Sequence, residues 1–447
     1  MSLLASTAKL QAFLDTDKEI KQEYNQLLRS SHIDDKIPPF LFNSDPDNKN
    51  VQNIVMNIIK ISRKRSMTTI FKKYPKSYDI KLLRKEFLKL NPKEIPRFLK
   101  YSDYRVLQSK WETKFPGILT AQLFLKLCKS IRKTINPDDL FFHLTIQATI
   151  LRYYQIIFFK TPMRNNAITK LELGRVVEEI TKDYDFLNDI EVKFPEEGKP
   201  YYIAFVVELF FCELDPLHTG FILIDDFLTS DLFMYLVKLE TIGDNPSNLF
   251  GSGGFYLYYD HFTSMNYDDS GILTKDDLLY MKGTRFTSSF IDRIFDSCNV
   301  LDFSWFCRFK HSYNKLGRPW ANFFFFDILD IDKNGEINDT EINHFYHDLS
   351  KDFESFMNEK PLSFHEFTIQ LIDQCNMQNS SMTKEEFVNS KLVNIFVRSL
   401  VDLKAFVKME NGREIPSRGE EEEEEESNSH DEYYDNEVFV GTDSINY

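Results

Sequence analysis

Twelve consecutive residues, Asp330-Ile-Asp332-Lys-Asn334-Gly335-Glu336-Ile337-Asn338-Asp-Thr-Glu341, present oxygen atoms at a fixed alternation. Positions 1, 3 and 5 (Asp330, Asp332, Asn334) offer side-chain oxygens, and position 7 (Glu336) offers its backbone carbonyl. Position 9 (Asn338) acts through water, and position 12 (Glu341) brings both oxygens of a carboxylate. A hard cation taking six to eight oxygens, Ca²⁺, is what such a donor set holds. Gly335 at position 6 permits the sharp turn that a side chain would obstruct.

This is the spacing of the EF-hand calcium loop, and the flanks agree with it. Phe325, Phe326 and Leu329 fall on one helical face before it, and Ile342, Phe345, Tyr346 and Leu349 repeat at helical spacing after it. Ile337 at position 8 has the β-branched side chain that pairs with a partner loop across a short ribbon. A weaker loop spans 266–277, with Asn266, Asp268, Ser270, the Ile272 carbonyl and Asp277 as ligands. Asn replaces Asp at its first position and the last carboxylate is one carbon shorter, which weakens a calcium site. Two readings stand for it, a weakened metal site and a metal-free hand retained for its fold.

Three further segments keep the frame and lose the ligands. Residues 215–226 retain Asp215, Gly220 and Asp226, but Leu217 occupies position 3; residues 161–172 and 375–386 keep an aliphatic position 8 and a terminal Glu. The five units begin at 161, 215, 266, 330 and 375, and this uneven spacing suggests helix pairs with inserted connections rather than a tight solenoid. Phe (42) and Tyr (21) recur in short amphipathic blocks such as LTAQLFLKL, YYIAFVVELFF and ANFFFFDILD, while strand signals are sparse. The expected fold is all-α: an irregular array of EF-hand-like helix pairs with short β-ribbons between paired loops. The expected divisions are a helical N-terminal region (1–117), a degenerate EF-hand-like domain (118–240), a calcium-loop domain (241–410) and a disordered acidic tail (411–447).

The charge is unevenly placed. Of 69 acidic and 54 basic residues, 12 acids and no bases follow Gly419, so residues 1–418 hold 57 acids against 54 bases, a net of −3. Seven consecutive Glu (420–426) repel one another and bury nothing. Between Lys60 and Lys100, 14 Lys or Arg face 3 acids, a net of +11 that suits an acidic partner, a nucleic acid, a microtubule surface or plain solvent. Aromatic residues are not interleaved there as base-stacking platforms, so no nucleic-acid partner is expected. His344 and His347 lie three apart on the helix leaving the strong loop and read as exposed histidines; GSGG (251–254) lacks the Lys-Ser/Thr of a phosphate loop and reads as a linker.

The five cysteines are odd in number and scattered without C-x-x-C, which argues against disulfides and zinc modules. No basic flank precedes an apolar run at the N-terminus, and the longest apolar stretch, 201–212, is interrupted by Glu208. That stretch falls short of the roughly 20 residues a bilayer span requires, so no membrane partner is expected and the location expected is the cytoplasm. No nucleophile elbow, zinc-hydrolase, kinase or phosphate-loop motif occurs. The pattern favours a binding protein over an enzyme.

The order of these elements resembles the B″-type regulatory subunits of protein phosphatase 2A, in the gamma, TONNEAU/FASS-like branch. The matching residues are IPPFLF (37–42), LTAQLFLKL (119–127), ELDPLHTGFILIDDFL (213–228), YYDHFTSMNYDDSGILTKDDL (258–278), FIDRIF (290–295), FFFFDILDIDKNGEINDTEINHFYHDL (323–349) and LSFHEF (362–367). The resemblance implies a noncatalytic subunit that docks on the HEAT-repeat scaffold, presents substrates to a separate catalytic subunit and uses two calcium hands, here 266–277 and 330–341. It also implies microtubule or centrosomal partners and a centrosomal or cortical location. Two alternatives remain open on the residues alone, a stand-alone calcium sensor and a cytoskeletal adaptor using the basic segment.

Overall fold

Among the described residues, eight strands of two or three residues, paired two by two, organise the helices. The computed structural model describes residues 76–412, apart from 91–97, 113–116, 129–133, 162–165, 183, 185, 188–197, 299, 376 and 378–380. The IPPFLF motif, residues 60–75 and 91–97 of the basic stretch, and the polyglutamate segment lie outside the described residues. Strand β1 (Leu99–Lys100) pairs with β2 (Thr134–Ile135), β3 (Ala167–Thr169) with β4 (Phe221–Leu223), β5 (Ile272–Leu273) with β6 (Leu301–Asp302), and β7 (Glu336–Ile337) with β8 (Met382–Thr383), all antiparallel. The rest of the regular structure among the described residues is helical, so the all-α architecture with short ribbons expected from the sequence is the one found there.

Each ribbon is built the same way. One aliphatic residue from each loop faces its counterpart: Leu99 opposite Ile135, Ile168 opposite Ile222, Leu273 opposite Leu301, and Ile337 opposite Met382. All eight are buried. The residue after each is the N-cap of the next helix, and at six of the eight (Asn136, Thr169, Thr274, Asp302, Asn338, Thr383) its side-chain oxygen accepts a backbone N–H from the first turn. Short polar residues satisfy the orphan donors of a helix start, which is why the chain turns from strand to helix at that point.

Three of these units escape the sequence pattern: those carrying Leu99, Ile135 and Leu301. The interval of 64 residues between 266 and 330 is therefore not an inserted connection but contains β6, the partner of β5. GSGG is likewise not a linker. Gly251 caps the helix Ser252–Met265, and Gly254 is buried so close to the preceding turn that a Cβ would lie 2.0 Å from the Leu249 carbonyl oxygen.

Two clusters of buried side chains underlie the ribbons, one drawn from residues 80–148 and one from 153–407. The helix Pro137–Lys160 joins them, giving Leu140, Phe141 and Leu144 to the first and Tyr153 and Ile157 to the second. The larger cluster runs across residue 240, where the sequence suggests a division. A buried ion network crosses the same place: Glu208 is 4% exposed and takes Arg308 Nε at 2.7 Å, Arg308 Nη2 at 2.6 Å and Lys170 Nζ at 2.6 Å. Pairing by two cations offsets the desolvation of that carboxylate.

Two glycine substitutions test this packing in opposite directions. Gly254→Ala must displace backbone and is expected to destabilise by about 1–3 kcal/mol. Gly174→Ala, in the helix Lys170–Thr181, meets only Ile203 Cγ2 at 3.8 Å and is expected to be neutral or stabilising by up to about 1 kcal/mol. Equilibrium urea denaturation of the full chain reads both.

Candidate metal centre

The strong loop lies between the helix Pro319–Leu329, whose C-cap is Asp330, and the helix Asp339–Met357, whose N-cap is Asn338. Its backbone turns through the left-handed region twice, at Lys333 (φ 58°) and Gly335 (φ 87°). The Asp330 carboxylate holds that turn from inside: Oδ1 accepts from Asn334 N at 3.1 Å and Oδ2 from Gly335 N at 3.0 Å. Asp332 Oδ1 also accepts from Asn334 N, and Asn334 Oδ1 accepts from Glu336 N at 2.8 Å.

Glu341 arrives from the first turn of the following helix, where its Oε2 accepts from Asn338 N at 3.1 Å. One carboxylate oxygen from each of Asp330, Asp332 and Glu341 then lies within 4.8 Å of the others. Asp330 and Glu341 are 6% and 2% exposed, so two of the three charges are shielded from water. Like charges about 4 Å apart repel by about 1 kcal/mol in water and about 4 kcal/mol near a protein surface. All donors at the site are oxygens, and the acidic ones converge; this chemistry fits a hard divalent cation such as Ca²⁺.

The loop is pinned by the hand carrying β8, which keeps almost no ligands of its own. Besides the Ile337–Met382 pairing, Lys384 donates its backbone N–H to Gly335 O at 3.0 Å. Its ammonium reaches back to Asp327 Oδ1 at 2.7 Å and lies 4.0 Å from the centroid of the Phe323 ring. Asn322, fully buried on the helix entering loop 330–341, donates Nδ2 to Val388 O at 3.0 Å and Ser390 O at 2.9 Å, while its Oδ1 accepts from Gly317 N. It thereby satisfies the C-terminal carbonyls of the partner helix Lys384–Asn389.

Loop 266–277 has the same backbone, with left-handed residues at Asp269 (φ 52°) and Gly271 (φ 74°), and it pairs with β6, not with 330–341. As in 330–341, several of its oxygens accept hydrogen bonds from the loop itself. Asp277 Oδ2 accepts from Thr274 N and Thr274 Oγ1, both at 2.7 Å. Hydrogen bonds from Ser270 hold the exposed Asp268 carboxyl below its ordinary range. Ser270 Oγ also donates to the Ile272 carbonyl at 2.9 Å. In loop 215–226, Asp215 accepts from Thr219 N (2.8 Å), Thr219 Oγ1 (2.7 Å) and Gly220 N (2.8 Å), and left-handed His218 and Gly220 complete the turn.

Two of the three terminal acids in the degenerate loops have a different explanation from lost metal binding. Glu172 and Glu386 close capping boxes with Thr169 and Thr383. A helix that starts at position 9 places its N3 residue at position 12, so a Glu there is useful without any ion. Lys384 and Asn322 went unnoticed in the sequence because their partners are remote in the chain. The ribbon units at 99, 135 and 301 had a usable signal at two of the three: an aliphatic residue followed by a capping residue (Ile135-Asn136, Leu301-Asp302).

No protein-family model matches the chain. Among curated proteins, it is 28% identical over 225 residues to the gamma form of the B″ regulatory subunit of serine/threonine-protein phosphatase 2A from Danio rerio, a match covering 48% of this chain and 49% of that one. To the Homo sapiens protein of the same description it is 22% identical over 323 residues, 70% of each chain. The chain thus spans about half the length of the zebrafish relative in that match and rather more of the human one. Among solved structures, a chain of a PP2A PR70 holoenzyme described with the label diCa superposes with a TM-score of 0.51 at 19% identity, covering 57% of this chain and 98% of that chain. That likeness shows a shared fold.

Removing the Asn322 amide leaves buried carbonyls unpaired, so Asn322→Ala is expected to destabilise by about 1–3 kcal/mol in urea denaturation. A hydroxyl in its place recovers part of the loss, so Asn322→Ser should fall between wild type and alanine.

Proposed function

We propose that this chain, a relative of the B″-type regulatory subunits of protein phosphatase 2A, is itself a noncatalytic regulatory subunit of that phosphatase that binds Ca²⁺ at residues 330–341. The observation that carries the reading is the convergence of Asp330, Asp332 and Glu341 inside a hand whose partner loop already fixes its shape. Asp330, Asp332, Asn334, the Glu336 carbonyl and Glu341 are the residues that would hold the ion. A bound divalent cation supplies positive charge to a cluster that otherwise repels itself. The descriptions of the relatives, all of them regulatory subunits, support the noncatalytic role and the phosphatase partners.

The chain's own part is positioning. Asp330 and Asn338 set the loop between two helices, and Lys384 and Asn322 couple that pair to the helices after residue 384. A ligand that binds the ordered arrangement shifts population toward it by its differential affinity. In this reading the ordered array docks on the HEAT-repeat scaffold and directs substrate choice or localisation in the cytoplasm, extending to microtubule and centrosome organisation. The last role rests on family likeness alone.

Calorimetric titration of the full chain with CaCl₂ is expected to give saturable heat, and Glu341→Gln to weaken it at least tenfold. Calcium at 100 times the dissociation constant should stabilise the fold by about 2.7 kcal/mol. Affinity capture from cell extract should recover phosphatase scaffold and catalytic subunits. Absence of heat up to millimolar calcium removes the metal claim. Capture of tubulin alone, or of isolated helical peptides alone, favours the adaptor or the free sensor instead.

A further inference from the structure

The two hands implied by the family likeness differ in one atom that matters. In loop 330–341, position 1 is a carboxylate with two oxygens, which receive the N–H groups of positions 5 and 6 and keep lone pairs for a cation. In loop 266–277, position 1 is Asn266, 7% exposed, with a single oxygen. The amide orientation that satisfies its surroundings points that oxygen at Gly271 N, 3.2 Å away, as Asp330 does toward Gly335 N. The NH₂ end then donates to Asp268 Oδ1 at 3.2 Å and to Ser270 Oγ at 3.3 Å, the side-chain oxygens of positions 3 and 5.

The consequence is a conflict between turn and metal. Turning the amide oxygen toward a cation would set Nδ2 against the Gly271 N–H, donor against donor. Leaving it in place sets two N–H protons where the ligands converge. The donor set is depleted as well, since Asp277 is short and its Oδ2 already accepts twice from Thr274. Loop 215–226 shows the same solution with a different donor, the Thr219 hydroxyl on Asp215.

We propose that loop 266–277 is a metal-free hand in which the Asn266 amide takes the place of the cation, so that the chain binds one Ca²⁺, at 330–341, and not two. The loop keeps the closed backbone without an ion, and a calcium response is confined to the C-terminal hand pair. The single-ion count rests on the calcium reading of 330–341; the exclusion of metal from 266–277 does not.

Calcium titration by calorimetry on the full chain, with thermal melts confirming that each variant folds, separates the two claims. Wild type is expected to bind one equivalent and Glu341→Gln none within the same range. Asn266→Asp, or Asn266→Asp with Asp277→Glu, is expected to add one equivalent to either background. Two equivalents in wild type, or one equivalent retained with wild-type affinity in Glu341→Gln, overturns the proposal. So does a folded Asn266→Asp, Asp277→Glu double variant that gains no equivalent. No binding by wild type, with one equivalent gained by that variant, sinks the calcium reading of 330–341 while upholding the exclusion at 266–277.

Discussion

The described array depends on one repeated contact, an aliphatic residue from one loop laid against its counterpart in the next. Two-residue ribbons are marginal by themselves in water. Here each paired side chain is buried beneath the helices that the ribbon joins, and burying such a residue contributes roughly 1.5–3 kcal/mol. Ribbon and helices therefore stand or fall together. Loop 330–341 inherits its shape from this arrangement, because the strand that precedes Asn338 is already registered against Met382.

Given that frame, the loops differ only in what fills their centre. Three of them share left-handed residues at positions 4 and 6 and use position 1 to hold the turn. In 215–226 a carboxylate is saturated by donors from its own loop, and in 266–277 an amide supplies both donor and acceptor. In 330–341 three carboxylates converge, and the Asn334 amide donates Nδ2 to Asp332 Oδ2 at 2.9 Å. The loop fold is thus common property, and the convergence of three carboxylates distinguishes the site.

The C-terminal pair is also tied to the one before it. The buried Asp402 accepts from Arg285 N at 2.9 Å, Lys404 N at 3.1 Å and Tyr313 OH at 2.9 Å, and Leu403 N donates to Arg285 O. Burial pushes the Asp402 carboxyl up, while these donors oppose the rise. A change in the helices after residue 384 therefore meets the helix Phe303–Asn314 through named hydrogen bonds. The aromatic blocks are spent largely inward: Tyr202, Phe205, Phe210 and Phe211 are all buried.

Residue order alone displayed the oxygen-bearing side chains of 330–341, since their spacing along twelve residues needs no distant partner to be recognised. It also settled the helical class, through amphipathic spacing, and five of the ribbon units. Tertiary structure decided which loop faces which. A two-residue strand carries no register of its own, and Leu301 shows neither glycine nor ligands to mark it. It decided that Glu172 and Glu386 are caps, because a carboxylate at N3 and one at a metal look alike in sequence. And it set the Gly271 N–H beside the Asn266 amide, because the left-handed turn at Asp269 and Gly271 folds position 6 back toward position 1.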